Sequence, residues 1–376
     1  MAPMKLDGVI LHLLSLPGVA PFENRWERYT EWKKLIVEVR CEGLRGFGEC
    51  TAMHTPFYNY ETIDTAWHVI ERYFAPLVLG CDAARPELIV PCVAHIRGHH
   101  EARAALEAAC WDLAARLAGV PLCQRLGGER RVVTSSATVG IEHQPERVVE
   151  QVAAAKAQGY ARVRLKIKPG HDFAVLAAIR RDFPEFPLLA DANGAYTEAD
   201  APRLRELTEF SLFAFEQPYA PRSLAATGRL RASTRLPICL DESITDCHDL
   251  SDALALSACG LLNLKVGRVG GFLPALQIYE RCRAERLPVF VGAKYETEIG
   301  RLANIAIASA IGSEVPSDVA AGDRYFSESI TEQPVVLCGP GQVEPLVGAG
   351  IGTELRDDIV RTRSLRKQEI LYGQAN

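Results

Sequence analysis

The sequence predicts an α/β protein, in which a (β/α)8 barrel over residues 131–319 follows an α+β capping domain over residues 1–130. From about Val133, short apolar runs of strand length alternate with amphipathic runs of helix length, as in βα units around a parallel sheet. Eight such units suit a closed barrel. An open doubly wound sheet would need a glycine-rich phosphate turn after its first strand, and the sequence has none there.

The capping domain is predicted from a change of pattern near the N-terminus. Residues 6–51 carry apolar, β-branched runs separated by glycines, which predicts a three-stranded antiparallel meander. Helical patterns follow over residues 60–79 and 101–117, and Gly119 ends the second. We expect part of the C-terminal tail, about residues 320–376, to pack back on this domain.

The barrel strands are predicted from short apolar segments bounded by turn residues. They are residues 135–141, 162–168, 187–193, 212–218, 237–243, 261–266, 288–292 and a weak segment near Val315. The intervening helices are predicted over residues 145–159, 173–183, 198–210, 250–259, 272–286 and 300–311.

Composition narrows the class of protein. The 376 residues are 48% hydrophobic and 24% charged, which is typical of a soluble protein with a large core. A net charge of −5 offers no basic stripe for nucleic acid. Eleven cysteines without a Cys-x-x-Cys pair indicate reduced thiols and a cytoplasmic location, and no segment predicts a membrane span.

Ionisable residues recur at a regular interval along the predicted barrel. Near the C-terminal ends of five successive strands stand Lys166, Asp191, Glu216, Asp241 and Lys265, at intervals of 25, 25, 25 and 24 residues. Functional sites of barrels lie at this end of the strands. The interval therefore places five charged side chains around one rim.

Strand number then predicts the arrangement of these side chains. The carboxylates fall on strands three, four and five, whereas the lysines fall on strands two and six, on opposite sides of an eight-stranded ring. Three converging carboxylates repel one another unless a cation lies among them. Oxygen ligands without a nearby histidine or cysteine favour Mg²⁺, with Mn²⁺ as the next choice.

Any one of these acids alone is more often a helix cap or a turn residue, and a single lysine is more often solvated. The joint pattern differs, because three otherwise apolar strands each end in a carboxylate, and burying such a group without a partner is costly. Two lysines flanking a metal-bound carboxylate would reach its α-carbon from opposite faces. The metal would stabilise the enediolate left by loss of the α-proton.

Six ordered motifs carry a resemblance to a known family across nearly the whole chain. They are LKIKPG (165–170), DANGAY (191–196), EQP (216–218), LDES (240–243), NLKVGRVGG (263–271) and ETEIGR (296–301). Together they resemble the enolase superfamily. Within it they are similar to the muconate lactonising subgroup, and there to the o-succinylbenzoate synthases and N-acylamino acid racemases.

The resemblance implies roles for the rim residues. It implies Mg²⁺ ligands at Asp191, Glu216 and Asp241, and an acid and a base on strands two and six. The family's strand-two pattern is Lys-x-Lys with the second lysine as base, so a direct match would choose Lys168. We assign Lys166 together with Lys265, because the following Pro-Gly sets the register and the 25-residue interval agrees.

Four further residues follow from that assignment. Arg164 then replaces the first lysine of the pair, which keeps the charge but cannot titrate. Arg268, three residues beyond Lys265, is predicted as a second assisting cation. Asn193 and Gly292 are predicted to bind substrate.

Two departures from the family pattern bear on the substrate. Gly292-Ala293-Lys294 stands where relatives commonly carry Gly-Gly-Met, and Arg25 lies in a bulky, charged segment where the family has a capping loop. We expect Lys294 or Arg25 to pair with a second, distal carboxylate of the substrate.

The leading prediction is therefore a Mg²⁺-dependent enzyme that abstracts a carboxylate α-proton, as an o-succinylbenzoate synthase, an N-acylamino acid racemase or both. The alternatives on the same scaffold are another muconate-type cycloisomerase or a dipeptide epimerase. A metal-free lyase using Lys166 or Lys265 in a Schiff base, and a non-catalytic carboxylate-binding barrel, are different classes. The expected partners are a small carboxylate substrate and further copies of the chain.

Overall fold

A computed structural model of the protein describes residues 4–373. Its strands, in chain order, are β1 (Gly8–Glu23), β2 (Arg28–Cys41), β3 (Leu44–Cys50), β4 (Val133–Thr134), β5 (Ala137–Val139), β6 (Val163–Lys166), β7 (Leu188–Asp191), β8 (Ala214–Glu216), β9 (Ile238–Leu240), β10 (Leu261–Leu264), β11 (Val289–Val291), β12 (Gln342–Val343) and β13 (Ser364–Leu371).

The α-helices are numbered in the same way. They are α1 (Ile63–Val69), α2 (Ala75–Val78), α3 (Ile89–Cys92), α4 (His100–Leu117), α5 (Leu122–Arg125), α6 (Pro145–Ala157), α7 (Phe173–Asp182), α8 (Ala201–Arg205), α9 (Leu224–Ser233), α10 (Cys247–Ala255), α11 (Val266–Val269), α12 (Phe272–Ala284), α13 (Glu298–Ile311) and α14 (Asp357–Arg363). Within residues 4–373 no helix is both long and apolar enough to cross a membrane.

The N-terminal part is an antiparallel sheet covered by helices. Strands β1, β2 and β3 form the predicted meander, and β13 pairs antiparallel with the other edge of β1, which gives the order β13-β1-β2-β3. Helix α4 packs directly on β3, where Gly46 and Gly48 remove the side chains that would block it. A Cβ at Gly48 would lie 2.0 Å from the carbonyl oxygen of Ala105.

The barrel strands β5 to β11 stand side by side in chain order and all run parallel. Seven of the eight predicted strands are thus confirmed. The eighth, near Val315, is wrong, because the segment forms no strand. Pro316 lacks the backbone N–H that a strand would donate there.

The segment after Pro316 nevertheless bridges the two edges of the sheet. Ser317 donates from its backbone N–H to Thr134 and accepts from the N–H of Ser136, both at 2.9 Å. On the other side, the N–H of Asp318 donates to the carbonyl of Val291 at 2.8 Å. These bonds close the ring, so the architecture is an α/β barrel with an α+β capping domain.

Buried glutamates of the capping part cap two barrel helices. Glu107 of α4 accepts from the N–H groups of Phe272 and Leu273 at 2.6 and 2.9 Å, at the first turn of α12. Glu49 of β3 accepts from the N–H and hydroxyl of Thr297, just before α13, at 2.9 and 2.6 Å. Carboxylates at helix N-termini satisfy unpaired donors and oppose the helix dipole. These hydrogen bonds connect the capping part to the barrel.

Candidate active site

Three carboxylates meet at the C-terminal end of the barrel strands. Asp191 and Glu216 end β7 and β8 and are direct partners in the sheet register, while Asp241 follows β9. One oxygen from each lies within 4.8 Å of the others, and all three residues are fully buried. The structure thus brings together the three acids that the 25-residue interval predicted to converge.

Arg164 lies in the middle of this cluster. Its Nε and Nη2 donate to the two carboxylate oxygens of Glu216 at 2.8 and 2.5 Å. The same Nη2 lies 2.5 Å from Asp191 Oδ2 and 3.4 Å from Asp241 Oδ2. The guanidinium therefore compensates the acids from within the barrel.

The two predicted lysines approach the cluster from different sides. Lys166 Nζ lies 2.5 Å from Asp191 Oδ2, whereas Lys265 Nζ lies 2.7 Å from Asp241 Oδ2. Lys166 ends β6 and Lys265 follows β10, four positions apart in the ring. Burial, and then the charge of Arg164, lower the pKa of Lys166 below its usual value.

The pKa values of the three acids are shifted in different directions. Burial, and then the charge of Asp191, raise the pKa of Glu216 to about 7 against the opposing effect of Arg164. Burial alone would also raise the other two pKa values. The charges of Arg164 and Lys166 nevertheless hold the pKa of Asp191 below its usual range, and Arg268 and Lys265 hold that of Asp241 well below it.

Lys168, the residue that a direct match to Lys-x-Lys would choose, lies away from the carboxylates. Its Nζ pairs with Glu23 of β1 at 3.2 Å, and a quarter of its side chain is exposed. Arg164 and Lys166 are two residues apart within β6 and point to the same interior face. Lys168 comes after the strand has ended.

Arg268 and Asn263 surround the cluster from the β10 side. Arg268 pairs with Asp241 through Nη1 and donates to the carbonyls of Ile244 and Asn263 at 2.9 and 2.7 Å. Asn263 donates from Nδ2 to Glu216 Oε1 at 2.7 Å. Sequence reasoning did not single out Asn263, although it lies two residues before Lys265 and therefore on the same face of the strand.

Asn193 links the cluster to the next loop. It accepts from Lys166 Nζ at 2.9 Å through Oδ1 and donates to Glu242 Oε1 at 2.8 Å through Nδ2. Its backbone is left-handed, with φ of +46°, a conformation that asparagine adopts more readily than most residues. Asn193 therefore orients one of the two lysines.

Arg25 and Lys294, the predicted partners of a distal carboxylate, both have partners within the protein. Arg25 Nη1 donates to the carbonyls of Asn193, at 3.1 Å, and of Gly194. Lys294 follows β11 and pairs through Nζ with Glu101 of the capping part. Only Lys294 is buried, with 7% of its surface exposed.

A cavity opens over the lysines, and we call it the mouth cavity. It is lined by Arg164, Lys166, Lys265 and Lys294, by the polar Asn24, Thr138 and Asn193, and by a wall of aromatic residues. The aromatic residues are Phe22, Trp26, Trp32, Tyr58, Tyr295 and Tyr325. Trp32 stacks on Tyr295 with ring centroids 4.3 Å apart. Most of this wall was not predicted, since its members come from distant parts of the chain.

The carboxylate cluster has the chemistry of a divalent metal site. It offers oxygen ligands only, each buried, within the spacing that one ion can bridge. Residues that could hold an ion are therefore Asp191, Glu216 and Asp241.

Comparison with known proteins decides the family. Residues 147–359, more than half of the chain, match the family described as Enolase C-terminal domain-like, and residues 16–127 match the Mandelate racemase / muconate lactonizing enzyme N-terminal domain. The chain belongs to the mandelate racemase / muconate lactonizing enzyme family. The resemblance seen in the six motifs is thereby confirmed.

Several members of this family are similar over nearly their whole length. An o-succinylbenzoate synthase of Geobacillus kaustophilus is 39% identical over 353 residues, which cover 94% of each chain. An N-succinylamino acid racemase of an Amycolatopsis species is 36% identical over 365 residues, covering 96% of this chain and 99% of the relative. A solved enolase-superfamily structure from Listeria innocua superposes with a TM-score of 0.92 at 32% identity, covering 98% and 99%.

Proposed function

We propose that the protein abstracts the α-proton of a small carboxylate substrate, as an N-succinylamino acid racemase, an o-succinylbenzoate synthase or both. The observation that carries the proposal is the placement of Lys166 and Lys265. Each contacts a different outer member of one carboxylate cluster, so a substrate carboxylate bound there would have one amine on each side of its α-carbon.

Asp191, Glu216 and Asp241 would hold the divalent ion, and we propose Mg²⁺, with Mn²⁺ as the alternative, because all donors are hard oxygens. When bound, the ion would stabilise the negative charge that gathers on the substrate carboxylate as the α-proton leaves. Arg164 and Arg268 add fixed positive charge around the same acids.

The lysines move the protons. In racemisation, the neutral amine of one lysine takes the α-proton, and the ammonium of the other returns a proton to the opposite face, so the configuration inverts. In dehydration, the lysine that took the proton donates it to the departing hydroxyl, and water leaves, while the second lysine stays protonated. Burial and the charge of Arg164 lower the pKa of Lys166, which favours the neutral amine that a base requires.

Proton exchange in D₂O tests this proposal. The protein is incubated with Mg²⁺ and each enantiomer of an N-succinyl amino acid, and deuterium at the α-carbon and optical rotation are followed. We expect exchange with inversion for both enantiomers. Lys166→Ala and Lys265→Ala should each abolish inversion, because each removes the amine on one face.

Further assays separate the two proposed reactions from each other and from the competing functions. Formation of o-succinylbenzoate, followed by its absorbance, identifies the dehydratase. Full activity in EDTA together with covalent trapping by borohydride would indicate the Schiff-base lyase and contradict our proposal. Absence of exchange at any substrate carbon in every carboxylate tested would leave only a binding protein.

A further inference from the structure

We propose that the Lys294 ammonium and the Tyr58 hydroxyl form a second anion subsite in the mouth cavity, which selects acyl groups that end in a carboxylate. The inference rests on the proposed function and names the substrate class of that site. It assigns the distal carboxylate to Lys294 rather than to Arg25.

The position of Lys294 in the ring supports this assignment. Counting from β5, Asp191 belongs to the third position and Lys294 follows the seventh, on the opposite side of an eight-membered ring. A substrate that binds its α-carboxylate at the cluster extends its remaining atoms away from the third to fifth positions. Those atoms would therefore reach the side of the cavity that Lys294 lines.

The Lys294 ammonium has hydrogen-bonding capacity left over. A lysine has three N–H donors, and within residues 4–373 the single hydrogen bond recorded for Nζ goes to Glu101 Oε1. Glu101 is itself fixed by Thr51 at 3.1 Å and Asn59 at 3.0 Å, so it holds the ammonium in place from the capping side. The remaining donors suit an anion in the cavity.

Tyr58 supplies an independent observation. Its hydroxyl oxygen is buried and has no hydrogen-bond partner among the described residues, although the side chain lines the cavity. A buried hydroxyl without a partner is destabilising, and a ligand oxygen would satisfy it. The Lys294 Nζ lies over the Tyr58 ring, 4.6 Å from its centroid, and both side chains line the cavity, so one ligand bound there can contact both.

The charges that line the cavity fit a substrate with more than one negative group. All four charged residues that line it are cations, namely Arg164, Lys166, Lys265 and Lys294. The first three are paired with the acids of the cluster, whereas Lys294 is paired with Glu101, outside it. Lys294 is therefore the lining cation that lies apart from the cluster, where a second anionic group of the substrate would bind.

Arg25 is the weaker candidate for this contact. Its Nη1 is occupied by two loop carbonyls, and the residue does not line the cavity. Arg25 instead binds the backbone of the loop that contains Asn193 and Gly194.

Calorimetric binding tests the subsite without depending on turnover. The ligands are the N-succinyl and N-succinamoyl derivatives of phenylalanine, which differ only in a terminal carboxylate or its neutral amide, with Mg²⁺ present. Because hydrogen bonds to charged groups are strong, we expect the wild-type protein to bind the succinyl ligand ~10- to 100-fold more tightly. Lys294→Met should reduce that ratio to about threefold or less, and Tyr58→Phe should reduce it by about fivefold.

Two further variants serve as controls. Lys168→Met removes a lysine that pairs with Glu23 outside the cavity, and the ratio should stay at the wild-type value. The double variant Glu101→Gln/Lys294→Met avoids leaving a buried carboxylate unpaired, and it should lose the preference as the single variant does.

Equal binding of the two ligands by the wild-type protein, binding of neither, or a preserved ratio in both Lys294 variants would overturn the subsite. Its failure is distinguishable from failure of the proposed function. Proton exchange without a carboxylate preference refutes the subsite alone, whereas a Lys294-dependent preference without exchange refutes the proposed function alone.

Discussion

The side chain of Asn263 occupies the space that a side chain at Gly292 would need. A Cβ on Gly292 would lie 1.8 Å from Asn263 Oδ1, and the same amide donates to Glu216 Oε1 at 2.7 Å. A glycine on β11's C-terminal side thus permits an asparagine of β10 to hold a carboxylate of β8. Gly292 was predicted to bind substrate. Its contact with Asn263 indicates that it also leaves room for the side chain that holds Glu216.

Gly292→Ala should therefore weaken metal binding through Asn263. Displacing a residue that orients a metal ligand typically costs about 10- to 100-fold in metal affinity, and we expect a change in Mg²⁺ affinity within this range, measured by calorimetry. Gly8→Ala is the matched control, since its Cβ would meet other atoms at ordinary distances of 3.4 Å or more. Equal Mg²⁺ affinities of the two variants would contradict the coupling.

Arg164 should determine stability when no metal is added. Arg164→Gln leaves three buried carboxylates facing one another, and breaking a buried ion pair costs about 3–5 kcal/mol. The melting temperature in EDTA should fall, and Mg²⁺ should raise it more in this variant than in the wild type. Arg164→Lys keeps the charge and should retain most of the stability. The same Mg²⁺-induced shift in all three proteins would refute the idea.

The pH dependence of exchange should report Lys166. Burial and the charge of Arg164 lower its pKa, and a base acts only when neutral, so kcat/KM should rise with pH and level off below the usual lysine value of 10.5. The rise applies to the enantiomer that Lys166 deprotonates. Arg164→Gln removes a positive neighbour and should move this limb to higher pH, while Arg164→Lys should not. If the rise of kcat/KM stayed at the same pH in Arg164→Gln, it would have to be assigned to a group other than Lys166.

Glu107 should contribute to global stability from outside the active site. It accepts from three N–H groups, those of Phe272, Leu273 and the Trp111 indole, the last at 2.9 Å. Glu107→Ala should lower the free energy of unfolding by about 2–4 kcal/mol, measured by urea denaturation. Glu280→Ala removes an exposed glutamate of the helix that Glu107 caps and should change it by less than about 0.5 kcal/mol.

The rim of the barrel could be predicted because its geometry repeats. One residue near each strand end, at a constant interval, must return to the same edge of a parallel sheet, and this brought Lys166, Asp191 and Glu216 into direct register. The choice of Lys166 over Lys168 used only the register set by Pro169-Gly170 and the 25-residue interval, which are equally local.

Other features depend on contacts that no local pattern encodes. Tyr58 lies far in sequence from Lys294, and their proximity follows from the packing of the capping part on the barrel. The prediction of an eighth strand was wrong because hydrogen bonds from a few loop residues, Ser317 among them, close the ring without regular strand structure. The segment near Val315 has only a weak apolar run, which does not distinguish a strand from such a loop.

The pairing of β13 with β1 has a consequence for biosynthesis. Gly8 lies opposite Leu371, so one of the two edge strands of the N-terminal sheet, β13, leaves the ribosome after the other three strands of that sheet. Until then the backbone donors and acceptors along one side of β1 have no partner, and such open edges invite association with other chains. A nascent chain that stalls late in translation, or a fragment ending near residue 130, would thus aggregate through β1 even though its own meander is intact.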